Sequence, residues 1–190
     1  MTKPQKTRFF LALPLLFLSA LPAAGAEARA EALSPTEYEL KAAFIYNFTK
    51  FITWPAGSFE SDESPINVCL LGSDPFGGAI DALKDKSSRG KPFTVNRIAT
   101  AGQERILSLP CHVLFISPSE ESRLPKLLKL LGRAPLLTVS DMAGFSQSGG
   151  LIGFKMKGNR IAFTINNDKA KASNLKISSE LLKLAEVVGN

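Results

Sequence analysis

The residue types that most often carry catalysis or bind metals are scarce in this chain. It has a single histidine, His112, and two cysteines, Cys69 and Cys111. Zinc sites need three or four protein ligands, and the acidic residues form no cluster with the spacing of a cation site. His112 heads an apolar run beside Cys111, a setting typical of a structural histidine. The sequence therefore predicts no catalytic residue, metal or cofactor, and a hydrolase built around His112 is the weakest alternative.

Two glycine-rich segments could be loops that bind phosphate or position a nucleophile. Residues 72–78 join a strand-like run to a helical one, but they lack the Lys-Ser/Thr pair of a P-loop and include Asp74, which would repel phosphate. Residues 144–150 lead into a strand and contain no Gly-x-Ser-x-Gly elbow. Both segments are predicted to be turns.

Small polar residues follow three apolar, strand-like runs. They are Ser73, Asp74, Ser117, Ser140 and Asp141. The carboxyl ends of parallel strands meet at one edge of a sheet, where ligands gather, so these residues could line a small-molecule pocket. Such a pocket would make the chain a solute-binding module for a transporter or a sensor kinase. The alternative, which we favour, is that these residues cap helices.

The first 26 residues have the pattern of a secretory signal peptide. Basic residues precede an apolar run at 9–21, and residues 24–26 form a small-residue cleavage site. The run is too short to anchor the chain in a membrane. We therefore predict cleavage near Ala26/Glu27, export, and no membrane insertion afterwards. Removal of this peptide lowers the net charge from +6 to +3, which argues against a nucleic-acid partner.

Export also bears on the two cysteines. Oxidising compartments favour disulfides, and Cys69 and Cys111 each lie in a strand-like run that could be the other's neighbour in one sheet. A Cys69–Cys111 bridge is the favoured interpretation, and two buried free thiols are the alternative. A redox enzyme is less favoured, because the chain has no Cys-x-x-Cys spacing.

Among the elements that must position these residues, the segment 40–55 is the most distinctive. Its aromatic residues are Phe44, Tyr46, Phe48, Phe51 and Trp54. The apolar positions recur at three- and four-residue steps, which predicts a helix with Ser34 as its N-cap and Glu37 completing the cap. Pro55 is predicted to end the run. We expect a core helix; a partner-docking face and, least favoured, a membrane-surface helix are the alternatives.

The rest of the chain alternates between strand-like and helical patterns. Strands are predicted at 66–71, 92–98, 112–116 and 136–140, and helices at 79–84 and 123–131. A hairpin of strands 151–157 and 160–166 follows, and then helix to about Val188 with a break near Ser178. This order favours a three-layer α/β fold, in which helices flank a mostly parallel sheet with an antiparallel hairpin edge.

Six segments carry a further pattern. They are 41–55 (KAAFIYNFTKFITWP), 66–77 (INVCLLGSDPFG), 111–117 (CHVLFIS), 137–150 (LTVSDMAGFSQSGG), 160–166 (RIAFTIN) and 175–184 (LKISSELLKL). In this order they resemble the YfiR family of exported proteins, and the resemblance covers nearly all of the chain after the signal peptide. The predicted organisation is a signal peptide at 1–26, a lead-in at 27–33 and a single YfiR-like domain at 34–188.

The resemblance implies a periplasmic α/β protein with no catalysis of its own. Family members restrain an inner-membrane diguanylate cyclase by acting on its periplasmic sensor portion, and release of this restraint raises cyclic di-GMP and favours biofilm. The inter-strand disulfide of the family falls on Cys69 and Cys111. Some members have a second pair in the Gly-rich stretch, where this chain has Ser146 and no cysteine.

Repression of this kind requires a surface that docks the sensor domain. Trp54 and Phe59, near the end of the aromatic helix, and Phe145, in the Gly-rich stretch, are the predicted docking residues. Core positions are the alternative for all three. A homodimer is a further open prediction.

Overall fold

A computed structural model of the chain describes residues 36–99 and 106–189. The predicted signal peptide (1–26) and lead-in (27–33) lie outside these residues. Across the two described ranges, no helix has the length and apolar character needed to cross a membrane.

The aromatic segment forms the long helix α1 (Glu37–Phe51). Thr36 is its N-cap: the Thr36 hydroxyl accepts a hydrogen bond from the Glu39 backbone, and the Glu39 carboxylate accepts one from the Thr36 backbone. The prediction of Ser34 as N-cap is therefore wrong by two residues. Ser34 and Thr36 each have a glutamate three residues later, so the capping-box spacing does not distinguish them. The helix ends at Phe51, four residues before Pro55, and the chain continues directly into a strand.

The described strands form an eight-stranded sheet and a separate two-stranded one. Their bounds are β1 (Ile52–Thr53), β2 (Ile66–Leu71), β3 (Ser87–Ser88), β4 (Lys91–Ile98), β5 (Val113–Ile116), β6 (Leu137–Ser140), β7 (Ile152–Lys157), β8 (Arg160–Asn166), β9 (Lys176–Ile177) and β10 (Glu186–Val188). The large sheet has the order β10-β8-β7-β6-β5-β2-β4-β3, and β1 pairs with β9. Only the β7–β8 hairpin and the short β3–β4 pair are antiparallel in the large sheet.

Helices cover both faces of the large sheet. After α1 they are α2 (Gly78–Asp81), α3 (Leu124–Leu131), α4 (Asn167–Ala172) and α5 (Ser179–Leu184), with 3-10 segments at Ala82–Asp85 and Pro118–Arg123. Val68 and Leu70 of β2 pack in one core cluster with α1, and Cys69 and Leu71 pack in a second with α3. Because successive strand residues point to opposite faces, the sheet separates two cores. The predicted mostly parallel α/β fold is confirmed.

The C-terminal segment differs from its prediction. A helix was expected to run to about Val188, but Glu186–Val188 forms β10, which pairs in parallel with β8 and lies outside the hairpin. The expected break near Ser178 is where Ser178 caps α5. Strands of two or three residues are too short to show a periodic pattern, and pairing partners far along the chain decide their conformation.

Candidate functional site

The two cysteines form a disulfide between neighbouring strands, with their Cα atoms 5.9 Å apart. Cys69 lies in the middle of β2, which pairs with β5, and Cys111 lies just before β5. The next residue, His112, extends this pairing, because its backbone N–H donates to the Asn67 carbonyl at 2.9 Å. The predicted Cys69–Cys111 bridge is present in the structure, next to His112.

The His112 ring is buried, with 5% of the residue exposed, and both of its nitrogens are bonded to backbone groups. The Asn67 backbone N–H donates to Nδ1 at 3.0 Å, and Nε2 lies 2.8 Å from the Ser58 carbonyl oxygen. Because an amide N–H only donates and a carbonyl only accepts, the ring is the neutral tautomer with its proton on Nε2. Burial lowers the pKa of His112, with the charge of Lys91 adding to this and the Ser58 bond opposing it.

His112 forms an aromatic cluster with Trp54 and Phe59. The Phe59 ring stacks on the imidazole with centroids 4.1 Å apart and an interplanar angle of 8°. Trp54 meets Phe59 edge-on at 5.9 Å, and its indole N–H donates to the His112 carbonyl at 3.3 Å. Trp54 and Phe59 are half-buried. The predicted docking residues Trp54 and Phe59 therefore lie together, against His112 at the start of β5.

Two basic side chains border this cluster. The Lys91 ammonium lies 4.4 Å from the Phe59 ring centroid and donates to the carbonyls of Ser61 and Asp62. The Arg89 guanidinium donates to the Ile52 carbonyl and to the Thr53 hydroxyl. These contacts are to neutral oxygens, so both side chains keep a positive charge that can attract an acidic partner.

Trp54 lines two cavities in the surface. One, of about 210 Å³, is also lined by Phe59, Arg89 and Lys91, among others. The other, of about 560 Å³, is also lined by Lys171 and Lys176. A half-buried indole at such openings can contact a side chain inserted from another protein.

Phe145, the third predicted docking residue, has no surface to offer. It is 1% exposed and packs in the second core cluster with residues such as Leu71 and Leu114. A Cβ placed on Gly150 would overlap the Phe145 ring, which shows how closely the Gly-rich stretch folds over it. The burial of Phe145 favours the alternative, a core position, because the loop that was expected to present the ring encloses it.

The five polar residues at the strand ends are bonded to nearby protein groups. The Ser117 hydroxyl caps the 3-10 segment that follows it, and the Ser73 backbone donates to Ser119 of that segment. The Asp74 carboxylate accepts from the backbone of Phe76 and Gly77 and from Arg97. The Ser140 hydroxyl donates to the Ile116 carbonyl and accepts from the Met142 backbone. This bonding favours the interpretation that they cap and join the elements.

Asp141 is the member of this group that joins α1 to the sheet. Its carboxylate accepts a hydrogen bond from the Tyr38 hydroxyl at 2.9 Å and pairs with the Lys41 ammonium at 2.6 Å. The Lys41 side chain, 5% exposed, also pairs with Glu37. Burial alone would lower the pKa of Lys41, but its hydrogen bonds to Asp141 and Glu37 outweigh burial and raise that pKa. Lys41 therefore stays charged and holds the start of α1 against the end of β6.

A comparison with protein families finds a match over most of the chain. The model of a family described as YfiR/HmsC-like matches residues 38–186, from the first turn of α1 into β10. The chain belongs to the YfiR/HmsC-like family. The resemblance found in the sequence is thereby confirmed. No individual curated protein matches the chain.

Several contacts of this YfiR/HmsC-like chain were missed by sequence reasoning. The sequence gives no sign of a role for Lys91 and Arg89, or for Tyr38 and Lys41. Lys91 reaches residues about thirty positions earlier, and Lys41 pairs with a residue one hundred positions later. No local pattern indicates such pairs, because the fold alone brings them together.

We expect Asp141→Ala to lower the free energy of unfolding by about 2 kcal/mol, because the buried Lys41 ammonium loses one of its two described carboxylate partners and keeps Glu37. Chemical denaturation at neutral pH measures this loss. Glu63→Ala, which removes an exposed carboxylate, is the matched control and should stay within about 0.5 kcal/mol of the wild type. Equal stability of both variants would show that the Lys41–Asp141 pair does not hold α1.

Proposed function

We propose that this YfiR/HmsC-like protein is an exported periplasmic regulator that represses an inner-membrane diguanylate cyclase through its periplasmic sensor portion. Repression keeps cyclic di-GMP low and limits biofilm formation. The observation that carries the proposal is the family match over residues 38–186, which includes both cysteines and the aromatic cluster. The predicted signal peptide and the Cys69–Cys111 bridge support an oxidising compartment outside the cytoplasm.

The chemistry of the cluster supports binding rather than catalysis. A general base needs a nitrogen that can take a proton from substrate or nucleophile. The Nδ1 of His112 already accepts from the Asn67 backbone, and Nε2 donates to Ser58. Both ring nitrogens are therefore engaged in hydrogen bonds to the backbone, and we propose no enzymatic role for His112.

Repression then depends on differential binding. The protein must bind the inactive conformation of the sensor more tightly than the active one, and each 1.4 kcal/mol of difference shifts the balance about tenfold. We propose that Trp54 and Phe59 supply the apolar contacts and that Arg89 and Lys91 meet acidic groups of the sensor. Tryptophan and arginine are enriched among residues that dominate interface energies.

A genetic experiment with matched variants tests this proposal. Deleting the gene should raise cyclic di-GMP severalfold, and returning the wild-type gene should restore the low level. Ala56 is exposed and lines the cavity beside Trp54, so Ala56→Glu places a charged side chain on the proposed docking surface. Ala143, just before the Gly-rich stretch, is also exposed. We expect Ala143→Glu to restore repression and Ala56→Glu to fail at equal protein level.

The outcomes separate the two parts of the proposal. An unchanged cyclic di-GMP level after deletion would contradict the regulatory function itself. If deletion raises cyclic di-GMP and both variants return it equally to the low level, the regulatory function stands. The docking surface would then lie away from Trp54.

A further inference from the structure

His112 is the only histidine of the chain and Trp54 the only tryptophan, and the two rings lie with centroids 6.2 Å apart. The segment 55–65, which we call the aromatic loop, joins Trp54 to β2, and its Phe59 ring contacts both of these rings. Its described links to the sheet include the bond from His112 to Ser58, the stacking of Phe59 on His112, and the two bonds from Lys91. His112 thus joins the aromatic loop to β2 and β5.

We propose that His112 is a proton-operated latch, whose protonation detaches the aromatic loop from β2 and opens the Trp54–Phe59 surface. The inference concerns the free protein and does not depend on the identity of the partner. Its consequence for docking does rest on the proposed function, because Trp54 and Phe59 are the proposed docking residues.

The geometry of the ring carries this inference. A protonated imidazole has an N–H on both nitrogens. The Ser58 carbonyl would still accept from Nε2, but the new proton on Nδ1 would face the Asn67 N–H, whose nitrogen is 3.0 Å away. Two donors cannot share this contact, and a buried charge without an acceptor is costly. The ring must therefore leave the Asn67 backbone.

The aromatic loop, and not the sheet, is the part that can move with the ring. Asn67 belongs to β2, which is paired on one side with β4 and on the other with β5. The backbone of His112 is likewise bonded to β2 and to Leu137 of β6. The ring, in contrast, contacts Ser58 and Phe59 of the loop and the Trp54 ring next to the loop. Displacement of the ring therefore displaces Phe59 and the contacts of Trp54.

The charges around the ring favour this response. Lys91 of β4 and Arg89 both border the cluster, and the charge of Lys91 repels an imidazolium. The acidic residues of the aromatic loop, Glu60, Asp62 and Glu63, are exposed, and Lys91 binds the Asp62 carbonyl rather than a carboxylate. The neighbours from β2 and β6 named above, Asn67 and Leu137, bring no titratable group.

The direction with pH follows from the same contacts. The pKa of His112 in the folded chain is lowered by burial, while an unfolded histidine titrates near about 6.5. The open or unfolded chain therefore binds more protons between these two values, and the closed loop loses stability as the pH falls through them. Above about pH 6.5 the closed form keeps its full stability.

Three measurements on the protein without a histidine tag test the latch. The Cε1 proton of the sole histidine reports protonation by NMR, Trp54 fluorescence reports the cluster, and amide exchange reports residues 55–65. Between about pH 7 and pH 4.5 we expect one transition in all three, with a midpoint below about 6.5 and at least a tenfold rise in loop exchange after correction for intrinsic rates. The β2 amides should stay protected.

The matched variant is His112→Asn, whose side-chain oxygen can still accept from the Asn67 N–H but does not titrate. It should abolish the fluorescence transition. Persistence of that transition in the variant would overturn the proposal. If the variant does not fold, the wild type still decides: a histidine that titrates without a change in Trp54 emission or loop exchange would also overturn it.

Discussion

Replacing Phe145 with alanine should lower the free energy of unfolding by about 3 to 5 kcal/mol. The ring is 1% exposed and packs against the face of the sheet that carries Leu71 and Leu114. Truncation removes its apolar contacts and leaves a cavity that the surrounding strands cannot fill without moving. Denaturant unfolding followed by circular dichroism measures the loss.

The matched control is Met156→Ala, which truncates a side chain on β7 that is 53% exposed. We expect this variant to lie within about 0.5 kcal/mol of the wild type. A Phe145→Ala protein of wild-type stability that lost the proposed regulatory function would instead support a docking role for Phe145. A destabilised variant that keeps the proposed function when folded would agree with its place in the core.

Phe145 also shows where sequence reasoning reaches its limit. An aromatic residue among glycines and serines has the same local pattern whether its loop projects into solvent or folds back onto the sheet. The decisive contact is with Gly150, whose missing side chain makes room for the ring. This contact depends on the path of the whole loop and not on periodicity.

Other elements were predictable because their signal is local. The strand at 66–71 has the predicted bounds and is buried along its whole length, since a continuous apolar run marks a strand covered on both faces. The N-cap of α1 was predicted two residues too early, because Ser34 and Thr36 both begin a capping-box pattern. The β10 strand was missed because three residues give no period and its partner β8 is about twenty residues earlier.

Several residues of the candidate site could be predicted from the sequence, but the contacts between them could not. The sequence indicated Cys69, Cys111 and Trp54 from their types and neighbours. It gave no sign that Phe59 would stack on His112, fifty-three positions later, or that Lys91 would lie over Phe59. The loop at 55–65 reaches these partners only after β2, β4 and β5 are assembled.

Removing the disulfide should have an effect of similar size to Phe145→Ala but a different origin. The bridge joins residues 42 positions apart, and on the chain-entropy model its loss costs roughly 4 kcal/mol. We expect the Cys69→Ala/Cys111→Ala variant to lose about this much stability, with a Tm lower by about 10 °C. The wild type in reductant should shift in the same direction, and the variant should not respond to reductant.

On the chain-entropy model, the bridge stabilises the protein by restricting the unfolded chain. The folded state should therefore be unchanged without the bridge, which can be measured separately. The register of β2 and β5 is already held by strand pairing and by the bond from His112 to Asn67. The folded variant should therefore keep the neutral-pH emission of Trp54, even though it unfolds at lower denaturant. A changed native emission would show that the bridge also holds the aromatic cluster in place. Unchanged stability with two free thiols in the wild-type mass would show that the bridge does not form in solution.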